Sequence, residues 1–324
     1  MSRPELEFAD NGAGWQLALR RVAPPPGEES RHRPVLIVPG YGMNSFIFGF
    51  HPNGLSLEAY LASRGLEVWS ADLRAQGRSV FRGPGSPDLR ISMADLAVED
   101  VGAAIGHVLA HTRTGKRELD LVGCSLGASL VFAHLAFLPD APVHSVVSLG
   151  GLVTWKKVPK LVLAAFASPW LAGALHFKKT RALAGHALPL LARWAPGLLS
   201  IYMHGSSTDT TQAARMVQTV EDPIPSINRE IAEWVRAREL SLRGVNVSRA
   251  IAAMRYPLLC VVAMQDGIVP PETARGAYDD IGSADKELLL VGDAGFPIAH
   301  ADLFLCTGAE ARVFAPIANF LLAR

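Results

Sequence analysis

Short, wholly apolar runs alternate with amphipathic stretches along most of this chain, and the two periods predict different elements. Pro34 to Pro39 (PVLIVP) and Leu119 to Val122 are continuous apolar runs, as strands buried on both faces should be. Between them the pattern predicts a helix from about Ser56 to Ser63, ended at Arg64-Gly65, where glycine suits a left-handed cap. A strand over Glu67 to Ala71 and a loop from Asp72 to Ser79 follow. Leu96, Val101, Ile105, Val108 and Leu109 recur at helical spacing, predicting a helix over Ala94 to His111. Leu126 to Leu138 reads as another apolar helix, and Val143 to Leu149 as a strand. Upstream, Leu6 to Phe8 and Trp15 to Val22 flank Asn11-Gly12, a hairpin signal at a sheet edge, and Ala23 to Arg33 is a polar, proline-rich connection.

The character changes after Gly151. Up to Ala253 the chain reads as helices and loops without a convincing strand. Alternation then resumes with a strand over Pro257 to Ala263, a helix from about Pro271, a strand over Glu287 to Val291 and a last helix near Ala309 to Leu322. Strands and helices in alternation predict an α/β fold with a mostly parallel central sheet and helices on both faces. The expected division is a core from 1–150 and 254–324, interrupted by a helical cap from 151–253. Neither an internal repeat nor a low-complexity tract is present.

At 324 residues the chain exceeds the roughly 100 to 200 typical of one domain, which suits one core with a large insertion. It is 49% hydrophobic and 19% charged, enough to bury a sizeable core. A formal net charge of +1 gives no reason to expect a nucleic-acid partner. The cysteines (Cys124, Cys260, Cys306) have neither metal-ligand nor disulfide-framework spacing, and the N-terminus lacks the apolar stretch of a signal peptide. A reduced, cytoplasmic protein is expected. Leu161 to Phe177 is long and uncharged, but it falls short of a bilayer span and is interrupted by Pro169, so it is read as cap helices.

The chemistry concentrates at Leu119-Asp-Leu-Val-Gly123-Cys-Ser125-Leu-Gly127. Bare GxSxG is common, and its position between a strand and a helix is what matters. Such an elbow strains the serine backbone and requires tiny neighbours at −2 and +2, here Gly123 and Gly127. The helix starting at Leu126 aims its free amides and positive dipole end at the site. Cys124 is a poor nucleophile candidate, because its corresponding neighbours are Val122 and Leu126.

With Pro39-Gly40-Tyr41-Gly42 after the first buried strand, the chain resembles the α/β-hydrolase superfamily, which carries an HG- or PG-type loop there. That resemblance implies backbone oxyanion donors at Tyr41 and Leu126. Asp72-Leu-Arg74-Ala75-Gln-Gly77-Arg-Ser79 is similar to the superfamily's D-x-R-G-x-G-x-S stretch, with Ala75 in place of one glycine, and that stretch is mainly structural. The superfamily order of Ser, acid, His points to His300, alone among the ten histidines in lying beyond the last strand, in a G-H-x-D-like ending with Ala299 where glycine is usual. His204 and His51 remain reserve pocket-lining residues. Asp266, in the strand-end run Asp266-Gly-Ile-Val-Pro, matches the triad aspartate, with Asp293 and Asp302 as rivals.

The resemblance therefore implies a serine esterase or lipase with Ser125 as nucleophile, His300 as base and Asp266 as its orienting acid. No metal-ligand cluster or dinucleotide fingerprint is present, and no cofactor is expected. The stretch Val245 to Pro271 and Ile281 to Glu287 also looks like polyhydroxyalkanoate synthases, which carry cysteine at the elbow centre; Ser125 there favours hydrolysis over polymerisation. The expected substrate is a small-molecule ester with an apolar medium or long acyl chain, or a hydroxyalkanoate ester. An acyltransferase on the same triad and a non-catalytic binding protein are the alternatives. Trp155, Trp170, Trp194 and Trp234 lie in the cap and could wall an acyl chain or hold the cap's own core. From Gly151 to Thr208 there are cations (Lys156, Lys157, Lys160, Lys178, Lys179, Arg181, Arg193) and no Asp or Glu. An ordinary solvated face is the first reading of that asymmetry, and contact with an anionic substrate or membrane surface the second. Oligomeric state is not readable.

Overall fold

The buried strands sort their residues by the two-residue period into two cores. Leu36, Val38, Leu121, Val146, Cys260 and Val262 pack on one face of the sheet, and Val35, Ile37, Val122, Val147, Leu259 and Val261 on the other. Both faces being covered is why these segments carry no polar alternation. The computed structural model describes residues 3–27, 31–174 and 179–324. Its strands are β1 (Glu5–Asp10), β2 (Trp15–Val22), β3 (Val35–Val38), β4 (Val68–Ala71), β5 (Val80–Phe81), β6 (Leu119–Cys124), β7 (Val143–Leu149), β8 (Ser241–Leu242), β9 (Val245–Asn246), β10 (Leu258–Ala263) and β11 (Lys286–Val291).

The main sheet runs β1-β2-β4-β3-β6-β7-β10-β11, with β5 added to β2. From β4 to β11 every pairing is parallel, while β1 and β2 form the antiparallel edge. This is the α/β-hydrolase architecture. The helices Val101–His111 and Leu126–Phe137 cover one face; Leu57–Ser63 and Ala315–Leu322 cover the other.

Two local features differ from the sequence expectation. The helix expected over Ala94 to His111 is interrupted by a π turn at Leu96–Asp100, where the fully buried Asp100 turns in to accept from Arg74 Nε at 2.8 Å and Asn11 Nδ2 at 2.8 Å. The strandless stretch contains one small hairpin, β8–β9, turned at Arg243-Gly244 with φ of 45° and 83°. Two-residue strands carry no readable period.

Between β7 and β10 the chain otherwise runs through helices, the longest being Thr180–Trp194 and Pro225–Ala237. Its tryptophans divide. Trp155 and Trp234 are buried as a tilted pair 5.8 Å apart, whereas Trp170 and Trp194 are exposed. Two of its cations are answered from outside, Lys156 by Asp279 and Asp280 and Lys157 by Glu272, and Arg181 pairs within the segment with Glu221. Lys178 and the Arg193 side chain lie outside the described residues. Leu161 to Phe177 contains two short helices, Lys160–Ala165 and Pro169–Ala174, with residues 175–177 outside the described part. Among the described residues no helix is long and apolar enough to cross a membrane.

Candidate active site

At the end of β6 the chain reverses sharply into the helix Leu126–Phe137, and Ser125 takes the strain with φ 53° and ψ −123°. The reversal leaves no space beside the serine. A Cβ on Gly123 would come within 2.4 Å of the Ala128 Cα, and one on Gly127 within 2.3 Å of the Val38 carbonyl oxygen. Left-handed backbone at a non-glycine residue persists only where its surroundings enforce it, and such strain clusters at functional sites. Ser125 is partly accessible, and its hydroxyl has no hydrogen-bond partner among the described residues.

The loop after β3 lies directly on this elbow. A Cβ on Gly40 would come within 2.9 Å of both the Ser125 Cβ and the Cys124 carbonyl oxygen. Tyr41 and Leu126 follow these contact points, and neither backbone amide donates to another described group. Leu126 is the first residue of its helix, where amides lack intrahelical acceptors. The Tyr41 phenol donates to Asn228 Oδ1 and meets Phe166 edge-on at 6.2 Å. Burial pushes it up to about 12, so it stays neutral at working pH.

Asp266 stands just past the end of β10. Its Oδ1 accepts the amides of Ile268 and Val269, both at 2.8 Å, which leaves Oδ2 for His300 Nδ1 at 2.5 Å. That bond puts the imidazole proton on Nδ1 and leaves Nε2 as the free acceptor. Burial alone would lower the His300 pKa, but the charge and hydrogen bond of Asp266 outweigh it and raise it above the ordinary 6.5. Gly150, at φ 58°, brings the end of β7 against the ring: a Cβ there would lie 3.5 Å from His300 Cε1. Gly151 follows, and its Cβ would lie 3.3 Å from the Ser125 carbonyl oxygen. The elbow and the histidine loop thus meet across Gly150-Gly151, where sequence reading placed only the boundary between the core and the cap.

The rival acids are occupied elsewhere. Asp293 caps its own turn through Gly295 and Phe296 amides. Asp302 is fully buried and accepts from the Ala299 and His204 amides and the Thr208 hydroxyl at 2.6 Å. Among the reserve histidines, His51 is held between the Cys306 carbonyl and the Asn53 amide, and His204 contributes its backbone to Asp302. Cys124 is buried with its thiol pushed well up by desolvation, which suits a packing residue. Asp72 and Arg74 are structural, as expected: Asp72 accepts the amides of Ser45 and Arg78.

Sequence reading missed how the 151–253 insertion grips these loops. Glu221 donates its amide to the Gly42 carbonyl, and its Oε1 accepts from Asn44 Nδ2, the Gly77 amide and Arg181 Nη2. On the other side, Gly267 donates to the Ile201 carbonyl and Ala301 to that of Tyr202, whose ring lies 6.0 Å from that of His300. Beside the Gly40–Gly42 loop lies a narrow crevice of about 20 Å³, with Leu126, Leu130 and Ile227 on its apolar side and Gln76, Glu221 and Asp222 on its polar side.

The fold is shared with solved hydrolases of low sequence identity. An esterase from Rhodococcus sp. ECU1013 superposes with a TM-score of 0.62 at 18% identity, covering 99% of each chain. An esterase from Thermogutta terrifontis gives 0.58 at 17%, again over 99% of each chain. A meta-cleavage product hydrolase from Pseudomonas fluorescens IP01 gives 0.59 at 14%, over 98% of this chain and 97% of that one. No protein of curated function matches the sequence significantly. Residues 31–294, which span Ser125 and Asp266, match the serine aminopeptidase S33 family, and the chain belongs to that family of α/β-hydrolases.

Proposed function

We propose that this hydrolase cleaves carboxylic esters through an acyl-Ser125 intermediate, with His300 as general base and then acid. The observation that carries the reading is the Asp266–His300 pair, which presents a free Nε2 in a site shared with a strained, partly accessible serine. Ser125 Oγ attacks the ester carbonyl carbon as its proton passes to His300 Nε2. The carbonyl oxygen becomes an oxyanion held by the Tyr41 and Leu126 amides. Collapse expels the alcohol, which takes the proton from Nε2. Water then repeats the sequence, releasing the acid and restoring Ser125. The hydroxyl and Nε2 are not hydrogen-bonded at rest, and such contacts commonly tighten only with substrate bound.

The 151–253 insertion serves as a lid over this site. Its hydrogen bonds to the oxyanion loop and to both the acid and base loops support that role. The three buried, unpaired cysteines fit a reducing compartment.

The test is hydrolysis of p-nitrophenyl esters from acetate to palmitate, beside amino-acid p-nitroanilides, by the wild type and Ser125→Ala. Ester turnover that peaks at an apolar chain and falls by at least about 10⁴-fold in the variant is expected. Faster anilide cleavage would replace the esterase with a peptidase reading. Full activity in Ser125→Ala would overturn the mechanism. An added alcohol that captures most of the acyl group would make the enzyme a transferase.

A further inference from the structure

Away from the candidate active site, four strands across the sheet from β6, the edge strand β1 and the helix Val101–His111 bring three potential ligands together. His107 and His111 are one helical turn apart and therefore share a face. Their rings stack with centroids 4.0 Å apart and planes inclined by 21°. Glu7, on β1, places Oε2 at 2.9 Å from His107 Nε2. One donor atom from each of the three side chains lies within 4.8 Å of the other two.

We propose that Glu7, His107 and His111 form a binding site for a divalent transition-metal ion of the zinc type. A tetrahedral ion with bonds of about 2.0–2.1 Å needs donor atoms about 3.3 Å apart and in the plane of each ring, so the exposed His111 ring must swing out of its stack on His107 for the cluster to close around one. Two imidazoles and one carboxylate select zinc, nickel or copper over calcium and magnesium, which prefer all-oxygen shells.

The surroundings already restrict the His107 ring and set the tautomer of His111. His111 Nδ1 donates to the His107 carbonyl at 2.8 Å, which fixes its proton on Nδ1 and frees Nε2. Trp69 packs edge-on against the His107 ring at 6.0 Å and 79°, restricting its plane. The neighbouring cations are engaged elsewhere, Arg21 with Glu5 and Glu67 and Arg113 with Glu5. His107 is largely shielded while His111 is exposed, so an ion has an entry path, and water can take the fourth position.

Because β1 pairs only with β2 among the described residues, such an ion would clip the edge strand to the helix and act structurally. For His107 to bind through Nε2, the proton that Nε2 now shares with Glu7 moves to Nδ1 of the same ring, so both residues can turn to the ion.

The experiment is titration of the full-length, chelator-stripped protein with Co²⁺ followed by visible absorption, and with Zn²⁺ followed by calorimetry and thermal unfolding. One ion per chain is expected, with a four-coordinate cobalt spectrum and a midpoint that rises with Zn²⁺ concentration. His111→Ala and Glu7→Gln, both at accessible positions, should each weaken binding at least about 10-fold without altering hydrolysis of a soluble ester. His186→Ala, an exposed histidine on another helix, should bind like the wild type. No cobalt spectrum in the wild type, or unchanged affinity in both ligand variants, would overturn the site.

Discussion

Ser125 and Ala75 are both non-glycine residues in the left-handed region, at φ 53° and 60°, yet their strain has different consequences. At Ser125 the conformation projects the hydroxyl into the candidate site, and Gly123, Gly127 and Gly40 give up their side chains to allow it. Ala75 sits in the structural Asp72–Ser79 loop, where the related pattern has glycine, and nothing in the proposed chemistry uses it. A left-handed alanine costs about 1–2 kcal/mol, against roughly 0.5–1 kcal/mol of extra chain entropy for glycine. Ala75→Gly should therefore stabilise the fold by about 0.5–1 kcal/mol, read as a higher urea midpoint with unchanged ester turnover. Asp266→Asn, in contrast, should lower kcat by about 10⁴-fold. It should also move the acid limb of the pH–rate profile downward, because Asp266 is what holds the His300 pKa above its ordinary value. An acid limb that does not move would remove Asp266 from that role. The departure at Ala75 and the order Ser125, Asp266, His300 were readable in sequence. The disposition of Asp293 and Asp302 was not, since the partners that occupy them are backbone amides brought up by tertiary packing.

At the scale of elements, long periodic segments were legible and the joints between them were not. β3, β6, β7 and β10 appear close to where apolar runs place them, whereas the π turn at Leu96–Asp100 depends on Arg74 and Asn11 from distant loops. The same holds for the grip of the insertion on the oxyanion loop. Met43 bridges to Val220, Asn44 donates its amide to the Thr219 carbonyl, and Glu221 gathers Asn44, Gly77 and Arg181. Glu221→Ala removes the acceptor common to three donors and frees the Gly42–Asn44 stretch. A fall in kcat of about tenfold with little change in KM is expected, since each net hydrogen bond is worth about 1 kcal/mol and the proposed role of the loop is to hold the oxyanion of the transition state. A KM effect alone would assign Glu221 to substrate binding instead.

For the whole molecule, alternation of apolar runs and helices implied the parallel sheet, but the order β4-β3-β6-β7-β10-β11 rests on crossovers that no local pattern records. That packing also buries charges whose cost becomes visible only in the folded state. Glu58, on the helix Leu57–Ser63, is almost fully buried against β2 and β4, paired with Arg20 at 3.0 Å and hydrogen-bonded by the Ser70 hydroxyl. Burial drives its pKa up to about 7, against the opposing pull of Arg20 and Ser70. A folded-state pKa above the unfolded value of 4.5 means that the protonated form favours folding. The contribution of Glu58 is thus fully present below about pH 4.5 and is lost as pH rises through about 7, on the order of 3 kcal/mol in all. Glu58→Gln keeps an acceptor for Ser70 without the ionisation, and Arg20, partly exposed, can turn to water. Urea unfolding at pH 5 and pH 8.5 should show the wild type losing more stability than the variant across that interval. Parallel losses in the two proteins would place the pH sensitivity on other buried groups, with Asp100, Asp120 and Asp302, all raised by burial, next in line.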